Sequence, residues 1–153
     1  MSNQKTPLSK ALSDKTLRSR ATPLDAFNLA KKNWMMTQKL NVGELAEELG
    51  VSRATLFRWI GNKDLLMGEI MWSLYEPTVM QARQSCSGDG VEYVVDVFRQ
   101  VNTAILTYQP MRNWLHADGQ YALSILSSKN SPYHDRMVEL TTDLLPREPD
   151  QGT

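Results

Sequence analysis

The chain has 153 residues, 41% of them hydrophobic, enough for one ordinary domain with a packed core or for two very small ones. Its 17 Lys and Arg balance 17 Asp and Glu, which excludes a histone-like protein that binds nucleic acid over its whole surface. A single cysteine, Cys86, excludes an intramolecular disulfide framework, and neither a secretory signal nor an apolar run of about 18 residues is present, so a soluble cytoplasmic protein without a membrane span is expected.

Residues 1–21 carry Lys5, Lys10, Lys15, Arg18 and Arg20 against Asp14, and few large apolar groups. They read as a basic flexible arm, able to order on DNA phosphates or in a minor groove. From Thr22 the pattern turns helical. Thr22 can cap a first helix with Pro23 at its first position, and Phe27, Ala30 and Trp34 recur at helical spacing. Asn41 and Glu44 make a capping-box-like pair for a short second helix, whose Val42, Leu45, Ala46 and Leu49 face inward before Gly50 stops it. Ser52 caps a third helix from Arg53 to Trp59, ended by Gly61 and Asn62, and Asn62 can cap a fourth.

A fourth helix begins at Lys63 and repeats Leu66, Ile70 and Leu74, with Pro77 expected to kink or end it, although Val79 to Ser85 could continue as helix. Ser87-Gly88-Asp89-Gly90 is the clearest loop. Beyond it Val94, Val97, Phe98, Val101, Ile105 and Leu106 form an apolar helical face, and two more helices are expected near 111–128 and 133–145. Residues 146–153 read as a disordered tail. No stretch alternates with the period of a strand, so the fold is all-α.

The spacing within residues 42–59 is that of a helix-turn-helix. Ala46 is small where two helices must cross, and Gly50 stands at the turn, where a positive φ is needed. Leu45, Leu49, Val51, Leu56 and Trp59 supply the internal contacts. Arg53, Ala54, Thr55, Phe57 and Arg58 are then free to face outward, and an arginine fork suits the O6 and N7 of guanine in a major groove. Lys63 joins its charge to the amides opening the next helix, an arrangement suited to a phosphate. The charge distribution agrees. Residues 1–63 hold 11 basic and 5 acidic side chains, whereas residues 64–153 hold 6 and 12. The neutral total therefore conceals halves of +6 and −6.

These residues, from Leu40 through Gly50-Val51-Ser52, Thr55-Leu56 and Lys63 to Leu66, resemble the N-terminal region of TetR-family transcriptional regulators over about residues 22–75. The wording from Arg53 to Gly61 is most similar to a QsdR-like branch. The resemblance implies a three-helix head at 22–62 with the helix-turn-helix, followed by a helical effector-binding and dimerisation body at 63–145. It implies double-stranded DNA, a small-molecule effector and a second copy of the chain as partners. It also places Ser52, Arg53 and Ala54 at the leading end of the recognition helix, with Arg53 reading a base. Thr55 and Lys63 would meet phosphate, and Arg58 backbone or base. Phe57 stands where the family usually has Tyr, and so keeps an apolar contact while losing a hydrogen bond to phosphate. The glycine usual after the first helix is replaced by Gln38 and Lys39.

Met67, Met71, Trp72, Tyr75, Trp114 and Tyr121 are the expected effector-pocket liners, since methionines and flat aromatics suit an apolar ligand. The family usually closes its dimer with two further helices, which would begin where this sequence has Pro146 to Thr153, so the body is expected to be incomplete at its C-terminal end. The resulting expectation is a ligand-responsive repressor reading a pseudo-palindromic operator. Its alternative is a truncated interaction protein that binds DNA weakly or caps a paralogue. His116 and His134 lack metal-ligand spacing, and neither a nucleophile–base pairing nor a phosphate-cradling glycine loop occurs. Neither an enzyme nor a cofactor is expected.

Overall fold

A computed structural model of the chain describes residues 6–9 and 20–145. The tail at 146–153 and most of the arm at 1–21 lie outside the described residues. Among the described residues there is no strand, and the order is α1 (Pro23–Thr37), α2 (Val42–Leu49), α3 (Arg53–Ile60), α4 (Lys63–Ser85), α5 (Gly90–Thr107), α6 (Gln109–Ser127) and α7 (Pro132–Leu144).

Local chemistry sets the helix starts. The Thr22 hydroxyl accepts from the Asp25 amide at 3.2 Å, and the Asp25 carboxylate accepts from the Thr22 amide at 2.8 Å. This reciprocal pair satisfies donors that the first turn leaves open. Asn41, Ser52 and Asn62 cap α2, α3 and α4 from one side only, accepting from the amides of Glu44, Thr55 and Leu65, and the return bond to the Glu44 carboxylate expected of a capping-box-like pair is not formed. Gly50 ends α2 at φ 68°, and a Cβ built there meets nothing within 4 Å. Gly50→Ala is therefore expected to cost about 1–2 kcal/mol through the left-handed backbone alone, measurable as a lower urea midpoint. Gln38 takes the same left-handed region at φ 55°, in the place where the family's glycine is missing. Its side-chain amide offsets the strain by donating to the carbonyls of Trp34 and Met35 at the open end of α1.

Pro77, expected to kink or end α4, does not end it: the helix runs 23 residues through the proline, and Val79 to Ser85 continue it. Met67, Ile70 and Met71 are buried before the proline and Val79 and Ala82 after it, while Pro77 itself is exposed. Packing on both sides outweighs the roughly 3 kcal/mol that an interior proline costs. Leu106 does not share the inward face of α5: it is 62% exposed, whereas Val94, Val97 and Val101 are buried. The register of Val94, Val97 and Val101 carries inward to Ile105, and Leu106 falls one position beyond it.

The main core is continuous from the head into the body. Ala26, Ala30, Trp34, Leu45 and Leu56 pack in one cluster with Met67, Ile70, Met71, Trp114 and Ile125. A second cluster, Val79, Ala82, Val97, Val101 and Leu144, closes the far end of α4 against α5 and α7. Gly68 lets α4 and α7 approach closely, since a Cβ there would lie 2.9 Å from Ser131 Oγ. The helix α6 breaks its own geometry at Asp118 (φ −148°, ψ 55°), so it is built of two segments.

Candidate nucleic-acid interface

The helices α2 and α3 pack through Leu45, Ala46 and Leu56, all essentially excluded from solvent. That crossing turns Ser52, Arg53, Ala54, Phe57 and Arg58 outward, while Thr55 stays half-buried. The Thr55 hydroxyl accepts from Ser52 Oγ at 3.0 Å and from Arg58 Nη2 at 3.2 Å, which ties Arg58 to the helix and leaves the Thr55 proton for an outside acceptor.

Arg53 leaves the first turn of α3 and lies across the start of α2. A Cβ placed on Gly43 would fall 2.6 Å from Arg53 Nη2. Leu40, Asn41, Val42, Gly43, Arg53, Phe57 and Lys63 together wall a shallow hollow of about 400 Å³. Two cations and the positive end of the α2 dipole thus border one concave surface, the electrostatics that an anionic backbone requires. Gly43 and the α2 N-terminus were not among the residues expected at this surface. A glycine at the second position of a capped helix was the available signal.

Between α4, α5, α6 and α7 lies an apolar cavity of about 460 Å³, walled by Met71, Leu74, Tyr75, Thr78, Ala104, Ile105, Tyr108, Met111, Leu126, Tyr133 and Met137. No wall residue carries a formal charge. Burial pushes the Tyr133 phenol up to about 12, with neighbouring Tyr75 adding to the shift. Burial also raises Tyr75, against a hydrogen bond to Thr141, and raises Tyr108. All three therefore stay neutral donors at physiological pH. Tyr108 Oη is shielded from water and has no hydrogen-bond partner.

No protein-family model matches the chain, and no curated protein matches it. Among solved structures it is similar to the R. erythropolis transcriptional repressor QsdR from the TetR family, at TM-score 0.70 and 26% identity, over 83% of this chain and 72% of that one. This is a TetR-like fold. The neighbour bears the name of the branch that the residues from Arg53 to Gly61 resemble.

In this TetR-like fold the expected effector-pocket liners separate. Met71 and Tyr75 wall the cavity. Met67 and Trp114 are instead buried in the main core, where Trp114 meets Trp34 edge-on at 5.5 Å. Trp72 packs on Tyr75 and Tyr133 outside the cavity, and Tyr121 turns toward the start of α4. Sequence reasoning placed Met67, Trp72, Trp114 and Tyr121 by residue type, whereas helix orientation decides which side chains reach the space. The walls contributed by α5 and α7, notably Ile105, Tyr108, Tyr133 and Met137, were missed for that reason. No helix among the described residues is long and apolar enough to cross a membrane.

Proposed function

We propose that the chain is a DNA-binding transcriptional repressor whose operator affinity responds to a small molecule. The observation that carries this reading is the outward face of α3, where Arg53, Ala54, Phe57 and Arg58 project from a helix-turn-helix beside Lys63. In this reading residues 22–62 read DNA, and residues 63–145 hold the effector and the dimer contact. Ser52, Thr55 and Lys63 meet phosphate, and Arg53 reads a base edge. A dimer would present two α3 helices to the half-sites of a pseudo-palindrome, because one short helix reads only a few base pairs.

The decisive experiment is anisotropy titration of a labelled duplex from the region upstream of the chain's own gene, with unrelated duplex as competitor. Preferential, saturable binding by a dimer supports the proposal. Binding that competitor abolishes, from a monomer in light scattering, supports the interaction-protein alternative instead.

The cavity suggests the effector's chemistry: a neutral, largely apolar molecule, with an acceptor group that could satisfy Tyr108 Oη. At about a hundred times its Kd such a ligand is expected to raise Tm by about 5–10 °C. Ala104, exposed at the cavity rim, offers the control. Ala104→Phe should block the shift and the release of DNA while leaving operator affinity unchanged. An undiminished response in that variant would place the effector elsewhere.

A further inference from the structure

We infer that Tyr121 is a positioning residue for the DNA contact at the start of α4, acting through Lys63; this rests on the reading of the chain as a DNA-binding protein. Tyr121 belongs to the second segment of α6, past the break at Asp118, and so to the body of the molecule. Its Oη donates to Asp64 Oδ1 at 2.8 Å, and Lys63 Nζ sits 5.2 Å from the centre of its ring. One side chain thus holds two consecutive residues of the first turn of α4. Its ring is fixed in turn by buried Trp114, edge-on at 6.2 Å.

Both contacts bear on the hollow beside α3. Lys63 walls that hollow together with Arg53 and Phe57. A lysine ammonium on a four-carbon stem gives up much rotamer freedom when it binds a phosphate. Seated on the Tyr121 ring, the ammonium has already given up part of that freedom. Asp64 is the unfavourable neighbour, a carboxylate one residue from the phosphate-facing cation. Its bond to Tyr121 Oη directs the negative charge toward α6. Burial and the Asp64 carboxylate both raise the Tyr121 pKa, burial more strongly, so the phenol remains a donor at any working pH. The sequence carries no local sign of this arrangement, because Tyr121 lies 57 residues from Asp64.

The test is a double-mutant cycle on DNA affinity, measured by anisotropy on an operator-containing and an unrelated duplex with Tyr121→Leu, Lys63→Ala and the double variant. Tyr121→Leu should weaken binding to both duplexes by roughly two- to fivefold, the size of an exposed cation–π contact. In the Lys63→Ala background only the small part carried by Asp64, the loss seen in Tyr121→Phe, should remain. Tyr121→Phe keeps the ring and loses only the Asp64 bond, so its loss should be smaller. Should Tyr121→Leu fail to fold by circular dichroism, Tyr121→Met, which also removes the ring, takes its place in the cycle, and its loss should likewise shrink in the Lys63→Ala background. A readout without DNA runs in parallel. The Lys63 ε-methylene protons should resonate upfield under the ring in wild type and Tyr121→Phe, and return to ordinary positions in Tyr121→Leu. Additive losses, or tighter binding by Tyr121→Leu, would overturn the inference while leaving the regulator reading intact. A wild type that binds neither duplex, with the upfield shift present, would overturn both.

Discussion

Trp34→Ala is expected to destabilise the protein by about 3–5 kcal/mol, the usual range for emptying a buried aromatic site. A natural domain holds only about 5–15 kcal/mol in total, so this change alone brings the chain near its limit. Trp34 is fully excluded from solvent and touches Trp114 edge-on at 5.5 Å, joining α1 to α6. Its indole N–H is buried without a hydrogen-bond partner, so truncation forfeits packing and no hydrogen bond. Trp34→Phe should therefore recover much of the loss, since it keeps an aromatic edge and removes an unsatisfied donor. Urea titration followed by circular dichroism measures both. The midpoint should fall with little change in slope, because the same surface is exposed on unfolding. A separate early transition confined to the head would show that Trp34 holds only the three-helix unit together.

Arg53→Ala should weaken binding to the preferred sequence by about 5- to 150-fold, equivalent to the roughly 1–3 kcal/mol of a good bidentate base contact. The same change should barely affect binding to unrelated DNA, so the sequence preference collapses. Arg53 is exposed on the first turn of α3, and its guanidinium lies beside Gly43, free of any ion pair among the described residues. Lys63→Ala should behave differently, lowering affinity for every sequence and reducing the salt slope by about one. An equal loss on all sequences from Arg53→Ala would make that residue a phosphate contact. Gly43→Ala supplies an independent check, because the added methyl must displace Arg53 Nη2 from 2.6 Å. It should change the sequence preference without altering the charge of the surface.

What was legible in the sequence was mainly local. Thr22, Asn41, Ser52 and Asn62 each accept the expected cap bond, because a cap is decided within four residues. Gly50 takes a positive φ for an equally local reason. The helix-turn-helix followed from these signals together with the apolar spacing of Leu45, Ala46 and Leu56. Pro77 does not end α4 because a local rule was overruled by packing on both sides of it. The break at Asp118 had only the adjacent Gly119 to announce it, a weak sign within an otherwise helical pattern. The cavity was harder still. Its walls come from four helices, and periodicity shows which face of a helix is apolar without showing what that face meets. Ile105 could be assigned to an apolar face, but its place opposite Met71 and Met137 depended on how α4, α5 and α7 come together.

The seam between Trp34 and Trp114 also limits how far this protein can be treated as interchangeable parts. The helix α1 packs on α6 as well as on α2 and α3, and its largest fully buried side chain rests on a residue from the body. Grafting residues 22–62 onto an unrelated body would leave the Trp34 face without its partner, and an uncovered apolar patch invites aggregation. A chimera that kept its solubility would have to carry the matching surface of α6 with it. The unit of exchange is therefore the head together with the two helices, α4 and α6, on which it is seated.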